Sequence, residues 1–130
     1  MIYLDSCILI YAVEENGELT SRTRSALATA HEPFAISPLV IHETLVIPLR
    51  RDDHALIEKY GAMFASLTSV ELDLTTFVHA AKLRAANPGL KTADALHLSA
   101  AQLAGCTALW TNDKRLAAAS GDFAVDVIDG

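Results

Sequence analysis

At 130 residues the chain is expected to form a single domain spanning 1–130. With 52% hydrophobic and 20% charged residues it is too apolar to be disordered. A net charge of −6 argues against holding nucleic acid by bulk electrostatics, but not against a nuclease whose acids converge on a cation.

The predicted elements alternate between short apolar runs and longer helical patterns. Ile2 to Leu4 reads as a strand ending at Asp5, with Ser6 capping a helix to about Val13. Leu19 to Ala30 reads as a helix and Phe34 to Ile36 as a second strand. Ser37 followed by Pro38 is an N-cap with a first-turn proline, opening a helix with a Leu39–Ile47 body that Pro48 ends or kinks. Ala55 to Leu67 is helical. Val70 to Leu74 alternates polar and apolar and is expected to be a third, edge strand. Thr76 to Ala86 is a helix stopped by Asn87-Pro88-Gly89, and Thr92 caps another from Ala93 to Leu103, closed by Gly105. Ala108 to Trp110 is a fourth strand, Lys114 to Ala119 a short helix, and Ala124 to Ile128 the last strand. Strands alternating with helices imply an α/β fold: a mostly parallel sheet of four to five strands covered on both faces. The longest apolar run, Cys7 to Val13, is far below the ~20 residues of a membrane span. Asp5 in the first apolar segment, with no basic stretch before it, argues against a signal peptide. Cys7 and Cys106, both in apolar surroundings, read as buried thiols of a reducing cytoplasm, and no zinc spacing occurs.

Ligands of open α/β sheets bind beyond the carboxyl ends of the strands. Asp5 and Asp113 both follow strands. Glu43 and Asp94 lie near helix starts, each embedded in apolar sequence: Leu39-Val40-Ile41-His42-Glu43-Thr44-Leu45 and Ala93-Asp94-Ala95-Leu96-His97-Leu98. Buried carboxylates are costly unless paired or metal-bound. As single residues, Asp5, Asp94 and Asp113 can each be explained as helix N-terminal acids; Glu43 cannot. As a set they suit metal-assisted phosphodiester hydrolysis, because Mg²⁺ and Mn²⁺ prefer carboxylate and water oxygens.

Met1-Ile2-Tyr3-Leu4-Asp5-Ser6, Glu43 after Ile36-Ser37-Pro38, Lys91-Thr92-Ala93-Asp94-Ala95-Leu96-His97-Leu98 and Trp110-Thr111-Asn112-Asp113-Lys114-Arg115-Leu116 together resemble the PIN-domain ribonucleases, and by size the VapC-type toxins of toxin–antitoxin pairs. The resemblance covers residues 1 to 128. It implies a PIN-like three-layer α/β/α fold and a cytoplasmic endoribonuclease using one or two Mg²⁺ or Mn²⁺ ions. It also implies a homodimer neutralised by an antitoxin protein. Asp5, Glu43, Asp94 and Asp113 match the catalytic acids; Asp5, Asp94 and Asp113 would bind metal, with Glu43 doing so directly or through water. Thr111 matches a supporting hydroxyl, and Ser6 and Asn112 are candidates to orient water or the acids.

Lys91, Lys114 and Arg115 flank the acids and are candidate RNA phosphate contacts. His97, three residues after Asp94, shares its helix face; it can reach the metal site, but is expected instead to be a partly buried histidine bonded to backbone or a neighbouring side chain. His42 and Trp110 read as structural. Two other functions fit less well. A phosphoacceptor receiver domain needs an acidic pair after the first strand, where Asp5 is followed by Ser6. A non-catalytic PIN-like module binding RNA or protein has no need of an intact acidic set.

Overall fold

The computed structural model describes residues 1–129. Its sheet has five strands in the order β3-β2-β1-β4-β5, all parallel. They are β1 (Ile2–Leu4), β2 (Phe34–Ile36), β3 (Thr68–Ser69), β4 (Ala108–Thr111) and β5 (Ala124–Asp126). Between β1 and β2 lie α1 (Ser6–Val13) and α2 (Glu18–Thr29), and between β2 and β3 lie α3 (Pro38–Arg50) and α4 (His54–Ala65). α5 (Leu74–Ala86) and α6 (Thr92–Leu103) return the chain to β4, and α7 (Lys114–Ala119) links β4 to β5. This is the layered α/β/α arrangement expected of the alternating pattern.

Every residue of β1 is buried, as expected of a central parallel strand covered on both faces. From β1 the chain moves outward one way to β2 and β3, then crosses back to the other side at β4. With right-handed crossovers, that reversal sends α1–α4 and α5–α6 to opposite faces. α1 packs on α2 and α3, and α5 packs on α6. The reversal also opens a crevice at the carboxyl ends of β1 and β4, where such sheets bind ligands.

Four elements differ from the sequence reading. The third strand is Thr68–Ser69, not Val70–Leu74. β2 ends at Ile36 because Ser37-Pro38 starts α3, so beyond Val70, whose N–H reaches Ile36 O at 2.8 Å, no ladder partner remains. Asp73 instead makes a capping box with Thr76, which starts α5 at Leu74 rather than Thr76. β5 stops at Asp126, whose carboxylate takes the N–H groups of Ile128 and Asp129 at 3.1 and 3.0 Å. Pro48 does not end α3, which runs on to Arg50.

The caps also differ. Asp5, not Ser6, caps α1, and Lys91, not Thr92, occupies the N-cap position of α6. Ser37 sits at the N-cap of α3, yet its hydroxyl does not cap the helix. Gly105 closes α6 at φ +75°, a conformation strained for any side chain.

Candidate active site

Asp5 leaves β1 directly into α1, and its backbone N–H bonds Trp110 O of the neighbouring strand at 3.0 Å. Both carboxylate oxygens are engaged. Oδ1 accepts the Ser6 N–H at 2.8 Å, and Oδ2 accepts the Thr111 hydroxyl at 2.7 Å. The same Thr111 oxygen accepts the backbone N–H of Asp113 at 2.9 Å. Asp113 in turn caps α7, taking the N–H groups of Arg115 and Leu116 at 2.9 and 3.3 Å. Its helix-capping role and its place beside Asp5 are therefore compatible.

Glu43 projects from the second turn of α3, and Asp94 from the first turn of α6. Asp5, Glu43, Asp94 and Asp113 all line one cleft of about 400 Å³, with Ser6, Cys7, Tyr11 and Asn112 completing its wall. Acids distant in sequence thus meet where the sheet order reverses.

Burial pushes the Asp94 carboxyl up, and the negative charges of Asp113 and Asp5 add to this, against the opposing pull of Lys91. Glu43 moves the other way. Burial would raise it, but the hydrogen bond from His97, with help from the Ser6 hydroxyl, holds it below the ordinary glutamate range. Burial and the Asp5 charge push the Cys7 thiol up to about 12, so Cys7 brings no anion to the cleft.

His97 is buried and bonds two side chains, Glu43 Oε1 at 2.5 Å and the Tyr3 hydroxyl at 2.7 Å. Of backbone and neighbouring side chains it takes the second, with both partners far away in sequence. Asp5, Glu43 and His97 each offer a ligand atom within 4.8 Å of the others. Asn112 lines the cleft, but its amide nitrogen, oriented by its acceptors, serves Asp126 Oδ1 and Asp129 Oδ2 at 3.1 Å each, not the acids. Lys91, Lys114 and Arg115 are exposed at the starts of α6 and α7, beside Asp94 and Asp113. Trp110 packs against Phe34 with ring centroids 5.4 Å apart.

Carboxylate oxygens, a protonated thiol and crowded negative charge suit a hard divalent cation. Similarity to known proteins agrees with this fold. A toxin–antitoxin complex from Klebsiella pneumoniae contains a similar chain, with TM-score 0.81, 20% identity and 98% of each chain covered. Mycobacterium tuberculosis VapC20, a toxin that cleaves the sarcin-ricin loop, aligns with TM-score 0.77 at 14% identity over 92% of this chain and 95% of its own. Rickettsia felis VapBC2, solved on a DNA fragment from its promoter, gives 0.75 and 19% over 97% and 100%. No curated protein matches the chain in sequence. The PIN-domain family model matches residues 2–122, a span that takes in all of the acids lining the cleft, and the chain belongs to the PIN-domain family.

Proposed function

We propose that the protein is a Mg²⁺- or Mn²⁺-dependent endoribonuclease and the toxin of a type II toxin–antitoxin pair. One observation carries the reading: in a PIN-domain chain, Asp5, Glu43, Asp94 and Asp113 converge on one cleft at the reversal of the sheet. Asp5, Asp94 and Asp113 hold the cation, with Glu43 contributing directly or through water. When bound, the ion offsets the charge developing on the phosphodiester and makes water a better nucleophile. The chain's own residues prepare that site. Ser6 N–H and the Thr111 hydroxyl fix both oxygens of Asp5, and Thr111 also fixes the backbone from which Asp113 projects. Lys91, Lys114 and Arg115, exposed beside the acids, hold RNA phosphates.

The whole chain, 1–130, serves as one nuclease domain acting in the cytoplasm. Its partners are RNA, a cognate antitoxin protein and a second copy of itself. The similar fold of a chain from a toxin–antitoxin complex supports the pairing. Among the described residues no helix is long and apolar enough to cross a membrane.

Incubating the purified protein with total RNA, with millimolar Mg²⁺ or with chelator, tests the reading. Cleavage is expected with metal only, and is expected to vanish in Asp5→Asn and Asp94→Asn. Binding of RNA without cleavage under any metal condition would instead indicate a non-catalytic PIN module.

A further inference from the structure

His97 lies close enough to Asp5 and Glu43 to look like a third metal ligand, but its hydrogen bonds give it another role. Glu43 Oε1 faces His97 Nε2 at 2.5 Å, and an ionised carboxylate can only accept, so Nε2 carries the proton. In the neutral ring Nδ1 is then an acceptor, and the Tyr3 hydroxyl at 2.7 Å must donate to it. Tyr3 therefore accepts from Ser37 Oγ, also at 2.7 Å. Ser37 is fully buried and stands at the N-cap of α3, yet its hydroxyl leaves the helix uncapped and turns to Tyr3. Ser37, Tyr3 and His97 are all at most 1% exposed, so water does not compete along the chain. Each donor has one acceptor, and the order Ser37 to Tyr3 to His97 to Glu43 satisfies every group.

We infer that Ser37 and Tyr3 lock His97 with its proton on Nε2, so that His97 is a positioning residue for Glu43 and not a metal ligand. A protonated Nε2 has no lone pair to give a cation. It holds the Glu43 carboxylate in the acidic cleft, with Asp5 Oδ1 3.7 Å from the same nitrogen. Partners that orient a ligating carboxylate typically change metal affinity about 10–100-fold when removed.

This inference rests on the proposed metal site, and the test separates the two. Mn²⁺ binding to the full-length protein is measured by calorimetry, and the Mn²⁺-loaded wild type is examined by electron spin-echo spectroscopy for directly coordinated nitrogen. No coordinated ¹⁴N is expected. Tyr3→Phe, which removes one hydroxyl, is expected to weaken Mn²⁺ binding about tenfold, and His97→Leu by more. His97→Gln, which keeps an N–H donor, is expected to bind more tightly than His97→Leu. Should His97→Leu fail to fold, Tyr3→Phe and the wild-type spectrum carry the test. A coordinated nitrogen in the wild type, or wild-type affinity in Tyr3→Phe, overturns the inference while leaving the acidic site standing. A wild type that binds no Mn²⁺ overturns both.

Discussion

Thr111 shows how much one hydroxyl can organise. It donates to Asp5 Oδ2 and accepts from Asp113 N–H, so it couples the end of β1 to the start of α7. Its side chain is fully buried, and Thr111→Val keeps the shape while removing both bonds. Leaving Asp5 Oδ2 and Asp113 N–H without this partner is expected to cost about 1–3 kcal/mol of stability. If the proposed function holds, RNA cleavage should fall about 10–100-fold, and Thr111→Ser should restore most of it. Cleavage by Thr111→Val within threefold of wild type would remove Thr111 from the site. Asp5, Glu43 and Asp94 were readable in the sequence because a carboxylate in an apolar stretch conflicts with its surroundings, and Asp113 because it follows a strand. The partners of His97 were not, because Tyr3 lies 94 positions away. Ser37 was hidden for another reason: before a proline it looks like a helix cap, and only the fold turns its hydroxyl elsewhere.

α5 illustrates the limit of periodicity in placing elements. Val70 to Leu74 alternates as a strand should, and Val70 is indeed buried. Pairing, however, needs a neighbour, and β2 stops too early to supply one. The Asp73–Thr76 capping box then converts the polar end of that run into a helix start. The elements whose ends depend on their own residues, such as β1, β2 and α7, fall where the local signals put them. β3, whose end depends on a partner strand, does not. α5 packs on α6, and the buried Ser99 hydroxyl of α6 donates to Thr76 O at 2.7 Å, so the cap supports the helix that carries Asp94 and His97. Asp73→Ala is expected to lower the melting temperature by a few degrees at pH 7. The Thr76 backbone N–H and then its hydroxyl hold the Asp73 carboxyl below the ordinary range. Its contribution is therefore present above the unfolded aspartate pKa and lost as pH falls through the lower folded value. Thermal melts of wild type and Asp73→Ala should converge on acidification. A gap that stays constant or widens at low pH would refute the charged cap.

Taken as a whole, the molecule carries a net charge of −6 and concentrates carboxylates from both sides of its sheet into one cleft. Glu43 and Asp94 respond in opposite senses. Glu43, held low by His97 against its burial, contributes stability above the ordinary glutamate pKa, and that contribution is lost as pH falls through the folded value. Asp94 is raised by burial, then by Asp113 and Asp5. Its ionised form is therefore disfavoured in the fold, a penalty present at pH 7 and relieved as pH falls through its raised folded pKa. In chelator at pH 7, Asp94→Asn should melt above wild type, because it removes the penalised charge and keeps the shape. Adding millimolar Mg²⁺ or Mn²⁺ should reverse the order. A cation that binds only the folded cleft stabilises it by mass action, about 2.7 kcal/mol at 100 times its dissociation constant. For a domain of this size that raises the melting temperature by several degrees. The variant lacks one of the charges that attract the ion and should respond less. On the proposed function, such a residue destabilises the fold without metal because the site awaits a charge that arrives from solution. If metal leaves the wild-type melt unmoved and Asp94→Asn melts below wild type in chelator, the crowded-carboxylate account fails and Asp94 is an ordinary acid stabilising the start of α6.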